Sequence, residues 1–386
     1  MKSKVQIIIL LIMSTFAMAE QNGIAMINDV LDRKIKEDKI PGLQYTVLDD
    51  SNLIFEYSSG FRDLRKKDPV TSNTAFMLNS STKVFTAAAI LQLVEKGQVD
   101  LDHRLSKYYS DHPYSNEITI RHLLSQTSGI PNPLPLKWLH LKENHSKFDE
   151  KRALVNILAD NASLSFPPGE KYGYSNIAYW LLGKVIEAVS GETYCDYLRH
   201  HVFDPLKITS SELGCTIPDD NTLAVGYQKK YSFFSIFLYF SGVSTFFSDT
   251  QDGYLAFKQI YHNGPSYGGL YGSGQGIAKF LSDMLSENPV VFGREMRDLF
   301  FTKQATSTGE PVAMTLGWRT GSINNISYFE KPGGGPGGHS NIRIYPDKKM
   351  ATIFLINKTE VSESTISQRS NYLDSLFFSA YEGNAK

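Results

Sequence analysis

The stretch Leu78-Asn79-Ser80-Ser81-Thr82-Lys83 places three hydroxyls and an ammonium directly ahead of the apolar run Val84 to Val94. On a helix, positions i and i+3 share a face, so Lys83 lies beside Ser80 and its charge lowers the cost of forming an alkoxide there. Ser81 and Thr82 have no such partner. A helix beginning here also aims free backbone N–H groups and its positive dipole end at the reacting centre. The plainer reading makes Asn79 or Ser80 an ordinary N-cap.

A second candidate is Tyr174-Ser175-Asn176, which follows Pro167-Pro168-Gly169-Glu170-Lys171 and opens the helical run Ile177 to Val189. Tyr114-Ser115-Asn116 and Tyr261-His262-Asn263 match the same short pattern. Only Tyr174 stands at the mouth of a strong apolar helix after a Pro-Gly loop, where a phenol can project into a cleft. Its bland alternative is a loop tyrosine with a local Asn cap. The third candidate runs from Lys331 through Pro332, Gly333, Gly334 and Gly335 to His339-Ser340. Such glycine density lets a ligand or another backbone come close, and the lysine supplies a positive field. The alternative is a flexible glycine turn, and no phosphate-loop pattern competes.

These residues must be positioned by elements that the pattern also announces. A helix is expected over Ile24 to Lys36, then two β-rich runs, Leu43 to Leu48 and Leu53 to Ser58, whose separation by Asp49-Asp50-Ser51-Asn52 reads as a hairpin. Val84 to Val94 is hydrophobic nearly all round, which marks a buried helix, with Gly97 as its stop. Helical patterns and loops dominate from about Asp100 to Glu287. Strands return at Ile326 to Phe329, Asn341 to Tyr345 and Met350 to Ile356, and an amphipathic helix follows from Ser364 to Tyr381. The layout predicts an α+β fold: an antiparallel sheet built from both ends of the chain and flanked by helices, with an inserted, mostly helical part. The sheet part takes about residues 20–99 and 290–386, the helical part about 100–289, with a ligand cleft between them.

The 386 residues carry a net charge of −1 and no basic block, so no electrostatic case for nucleic acid exists. Residues 1–19 hold Lys2 and Lys4, an apolar run from Val5 to Met13, and Ala17-Met18-Ala19. This is the pattern of a secretory signal peptide cut before Glu20, which predicts an exported protein, periplasmic or secreted. Export makes a bridge between the only two cysteines, Cys195 and Cys215, chemically feasible, and two small buried thiols are an equal reading. His103, His112, His122, His140, His145, His200 and His201 show no metal-ligand spacing, so neither metal nor other cofactor is expected.

With these motifs in hand, the chain resembles the serine β-lactamase and penicillin-binding protein superfamily, most of all the class C β-lactamase branch and its esterase and peptidase relatives. Ser80/Lys83, Tyr174/Asn176 and Lys331/Gly333 match its three motifs in order. Linking segments such as "ITIRHLLSQTSGIP" and "PPGEKYGYSNIAYWLLGKVIEAVSG" match as well. The resemblance implies a β-lactamase/transpeptidase-like fold and a mechanism. Ser80 attacks a carbonyl, and Tyr174, its pKa lowered by Lys83 and Lys331, moves the proton. Asn176 orients the substrate, and backbone N–H groups of Ser80 and Gly334 hold the oxyanion. The acyl-enzyme on Ser80 is then hydrolysed.

Two departures bear on substrate. Pro332 stands where relatives that act on β-lactams or D-Ala-D-Ala usually have Thr or Ser, and Gln126 replaces the usual His of the "HTSG" segment. The uncharged stretch Tyr231 to Ser248 is expected to form an aromatic lid or wall that favours an apolar acyl group or contacts lipid, with core packing and a membrane span as alternatives. The expected partner is therefore a small-molecule, ester or peptide substrate. An ester or amide hydrolase ranks above a β-lactamase or D-Ala-D-Ala carboxypeptidase. A catalytically silent binding or sensor protein is the alternative from another class.

Overall fold

A computed structural model describes residues 26–383 except 136–137, 218–220, 233–234, 236–237, 239–240 and 361. The expected signal segment, 1–19, lies outside the described residues. The sequence's apolar alternation becomes a seven-stranded antiparallel sheet. Its strands are β1 (Gly42–Asp49), β2 (Leu53–Asp63), β3 (Asp68–Pro69), β4 (Arg319–Ile323), β5 (Ile326–Gly335), β6 (Gly338–Tyr345) and β7 (Met350–Ile356). Their spatial order is β4-β5-β6-β7-β1-β2-β3. The hairpin expected at 43–58 is β1–β2, and β1 also pairs with β7, Leu43 opposite Ile356, so strands from both ends of the chain meet mid-sheet.

Period-two alternation assigns each residue of the central strands to one of two cores. Ala351, Ile353 and Leu355 of β7 enter the larger core, which contains helix α1 (Lys83–Glu95), helix α2 (Asn176–Ser190) and helix α3 (Gly274–Leu285). Met350, Phe354 and Ile356 enter a second core, covered by the helix spanning 26–38 and by helix α4 (Glu363–Gly383). Helix α1 is buried along nearly its whole length, and the chain leaves it at Gly97, whose φ of +68° suits glycine.

The middle of the chain is more mixed than its pattern suggests. Short strands pair Leu139–Leu141 with Ile260–His262, and Tyr254–Phe257 with both Tyr227–Lys229 and Phe247–Gln251. That three-stranded sheet takes in the end of the aromatic stretch, half a dozen of whose residues lie outside the described ones. In the rest, Leu238 and Val243 are buried, Tyr231 is exposed, and Phe247 packs on Phe257 at 4.6 Å between ring centroids. No helix among the described residues is long and apolar enough to cross a membrane. Cys195 and Cys215 form a disulfide.

Helix α4 is fastened to the sheet by charge. Arg343, fully buried on β6, donates to Glu330 on β5 at 2.7 Å and to Asp374 on α4 at 2.9 Å, and Tyr45 donates to Asp374 at 2.7 Å. Burial alone would raise the Glu330 carboxyl, but Arg343 and Arg319 outweigh it and hold the group at about 2. Asp374→Ala leaves Arg343 buried without one of its two carboxylates. Urea unfolding should show a loss of roughly 3–5 kcal/mol. Because Glu330 sits below its usual 4.5 when folded, its contribution is whole above that value and disappears as pH falls towards about 2. An unfolding midpoint flat across that window would contradict this.

Candidate active site

Ser80 stands in a single 3-10 turn, Asn79–Thr82, that runs directly into α1 at Lys83. Leu78 occupies the cap position without a side-chain bond, so neither Asn79 nor Ser80 is the N-cap. Asn79 instead takes a left-handed backbone conformation, φ +48°, that asparagine tolerates better than most residues. Its Nδ2 donates to the Gly338 carbonyl at 3.0 Å, and its Oδ1 faces His262 Nε2 at 3.2 Å. Desolvation, then the positive Lys83 and His140, push His262 down to about 3, which keeps that ring neutral.

The three competing hydroxyls separate cleanly. Ser80 Oγ lies 2.7 Å from Tyr174 Oη and 3.4 Å from Lys83 Nζ. Ser81 donates to the Lys331 carbonyl at 2.7 Å and also meets Ser340 Oγ, while Thr82 Oγ1 accepts from the Leu270 N–H at 3.2 Å. Both serve to tie the turn down. Lys83 is fully buried, and its ammonium donates to Asn176 Oδ1 at 2.7 Å and to the Tyr267 carbonyl at 2.6 Å. Those acceptors offset the cost of taking the charge out of water and aim it at Ser80.

Tyr174 projects from the last loop residues before α2, where Ser175 is the true N-cap: its Oγ accepts from the Ala178 N–H at 3.1 Å. Asn176 is the first helical residue and faces Lys83 from there. Lys331 lies on β5, 5.2 Å from the Tyr174 ring centroid, and Lys83 lies 5.0 Å from it. The Lys331 ammonium donates to the Pro332 carbonyl at 3.0 Å. Both ammonium groups thus lie within cation–π range of this one ring. The structure thus gathers Ser80, Lys83, Tyr174, Asn176 and Lys331 at one place.

The glycine-rich run is strand rather than turn as far as Gly335, and Gly333 pairs with Ser340 on β6. A Cβ at Gly333 would lie 2.2 Å from the Leu78 carbonyl oxygen and 2.8 Å from the Ser81 nitrogen. At Gly334 it would lie 2.5 Å from the His339 ring, and at Gly335 2.4 Å from Asn79 Oδ1. It is therefore the backbone of the Ser80 turn that comes close here. Asn79, His262, Gln126 and the Tyr267 carbonyl belong to this site without a local signal in the sequence, apart from the substitution noted at Gln126.

A sheet of this order with helices on both faces, and a Ser-x-x-Lys turn packed beside β5 opposite a Tyr-x-Asn, defines the β-lactamase/transpeptidase-like fold. The chain belongs to the beta-lactamase family, whose family model matches residues 27–376. It is 30% identical over 207 residues to Protein flp of Staphylococcus aureus, covering 52% of this chain and 41% of that one. It thus spans about two fifths of the length of this curated relative. Penicillin-binding protein 4* of Bacillus subtilis is 25% identical over 321 residues, 81% of this chain and 67% of its own. Among solved structures, the D-amino acid amidase of Ochrobactrum anthropi SV3 superposes with a TM-score of 0.73 at 21% identity, covering 94% of this chain and 99% of the amidase. A class C beta lactamase of Rhodobacter sphaeroides does so at 0.68 and 18%, covering 93% and 99%.

Gly333→Ala forces strand and turn apart. The expected loss is about 1–3 kcal/mol, the range for overpacked sites, read as a lower urea midpoint. An unchanged midpoint would show that the turn can yield.

Proposed function

We propose that this protein is an exported serine hydrolase that forms an acyl-enzyme on Ser80 and hydrolyses an ester or an amide. The observation that carries the reading is the 2.7 Å contact between Tyr174 Oη and Ser80 Oγ, beside the buried Lys83 ammonium. Tyr174, its phenolate favoured by Lys83 and Lys331, takes the Ser80 proton as the oxygen attacks the carbonyl, then delivers it to the leaving group. The backbone N–H groups of Ser80 and Gly334 hold the oxyanion, and Asn176 orients the substrate. Tyr174 next draws a proton from water as the water oxygen attacks the acyl carbonyl, then returns it to Ser80 Oγ as the ester bond breaks, which releases the acid and regenerates Ser80. The amidase and β-lactamase among the similar structures support hydrolysis of an acyl compound.

Substrate preference follows from what β5 presents. Pro332 offers neither a hydroxyl nor an N–H for a substrate carboxylate, which favours neutral esters and amides over β-lactams. Past the end of the strand, Pro336 and Gly337 border a cavity of about 150 Å³ lined by Phe76, Met77 and Tyr271 and also by Asp63, Lys66 and Lys258, and by none of Ser80, Lys83, Tyr174 or Lys331. The sheet that takes in the end of the aromatic stretch supplies Phe257 to this wall. Export is supported by the signal pattern at residues 1–19 and by the Cys195–Cys215 disulfide, which an oxidising compartment preserves.

Treating the purified protein with a fluorophosphonate and with a fluorescent β-lactam tests this reading, with the Ser80 peptide examined by mass. The phosphonate adduct is expected on Ser80 and absent in Ser80→Ala. Tyr174→Phe should lower kcat on p-nitrophenyl esters by roughly 100-fold to 10,000-fold. Failure of both probes, with every ester untouched, would leave a binding protein on the same fold. Mass spectrometry of protein recovered from the cell envelope or medium should give Glu20 as its first residue; an intact Met1 there refutes cleavage.

A further inference from the structure

Tyr174 is held by loop rather than by helix or strand, so something must fix the backbone that carries it. Gln126 does so from both sides. It is 1% exposed and takes a left-handed conformation, φ +59°, which an unbranched polar residue keeps only when its surroundings hold it there. Its carbonyl accepts from the Gly173 N–H at 2.8 Å. Its side-chain Oε1 accepts from the Ser175 N–H at 2.6 Å, and its Nε2 donates to the Ser175 carbonyl at 3.2 Å. A planar amide offers a donor and an acceptor side by side, as a peptide group in a neighbouring strand does, and an ionised carboxylate lacks the donor. The following residues extend the cradle: Pro131 accepts from Ser175 Oγ at 3.2 Å, and Asn132 Oδ1 accepts from the Asn176 N–H at 3.0 Å.

We infer that Gln126 is the positioning residue for the general base, clamping the residues on either side of Tyr174, Gly173 and Ser175, so that its hydroxyl meets Ser80. This rests on the serine-hydrolase reading above. Gln126 itself hydrogen-bonds the backbone that carries the base, and its effect on the reaction passes through Tyr174. Displacing a reacting group by about 1 Å costs on the order of 100-fold in rate, and a tilted backbone moves the far end of a tyrosine by that much.

The test follows acylation and turnover of a short p-nitrophenyl ester by the full chain, Gln126→Ala, Gln126→Glu, Tyr174→Phe and the double variant Gln126→Ala/Tyr174→Phe. Gln126→Ala should lower kcat roughly 100-fold with KM within about threefold, and should lower nothing further once Tyr174 is Phe. Gln126→Glu keeps the shape and loses the donor while ionised. Its rate relative to the unsubstituted protein should be low at neutral pH and rise towards acid, as the protonated carboxyl regains an O–H. An equal loss in both backgrounds, or an undiminished kcat in Gln126→Ala, overturns the inference. If circular dichroism shows Gln126→Ala unfolded, the pH profile of Gln126→Glu decides, and a ratio constant with pH overturns it. Absence of turnover and labelling in the unsubstituted protein, by contrast, removes the hydrolase reading itself.

Discussion

The arrangement depends on one place where two backbones touch. Strand β5 passes the Ser80 turn at a distance that leaves no room for a side chain at Gly333, with the Leu78 carbonyl directly against it. Ser340 of the neighbouring β6 donates to that same carbonyl at 2.7 Å, and Ser81 donates to the Lys331 carbonyl, so hydrogen bonds from the sheet and from the turn close the contact. Lys331 and Gly334 therefore stand at fixed offsets from Ser80, set by strand geometry rather than by flexible side chains. On its other face, β5 is backed by Arg343 and Glu330, and that ionic anchor resists a slip of the strand away from the turn.

The remaining parts are held with different means. Lys83 is rigid because it sits in the first turn of a buried helix and its charge has two short acceptors. The backbone beside Tyr174 is held by the segment from Gln126 to Asn132, which hydrogen-bonds Ser175 and Asn176. This difference explains why the two loops are knitted together beyond the site. Gly129, at φ +75°, brings its Cα against the Phe166 carbonyl, and Gly169 donates to the Thr127 carbonyl at 2.8 Å.

Much of this was legible in the sequence, for reasons that differ by residue. The Ser80–Lys83 pair is local, one helical turn apart, so spacing alone separated Ser80 from Ser81 and Thr82. The outer strands and helices announced themselves through period two and near-continuous apolarity, and their bounds moved by a few residues. The run after Lys331 was ambiguous because glycine signals both a turn and a close approach, and only the Leu78 carbonyl, some 250 residues earlier, decides between them. The short strands in the middle of the chain carry two to five residues each, too few for any period to show. Gln126 could be marked as unusual but not explained, because its partners are backbone atoms 49 residues away.

The meeting of β1 with β7 at the middle of the sheet has a kinetic meaning. A chain emerging from the ribosome exposes β1 and β2 early, yet β1 lacks its central neighbour until Met350–Ile356 has been made. At synthesis rates of about 5–20 residues per second, that interval lasts roughly fifteen seconds to a minute. Throughout it, Ser80 and Lys83 exist without Lys331 or the strand that seats them. Until that strand joins the sheet, Ser80, Lys83 and Lys331 have no common frame, so their arrangement forms only after Met350–Ile356 has been made.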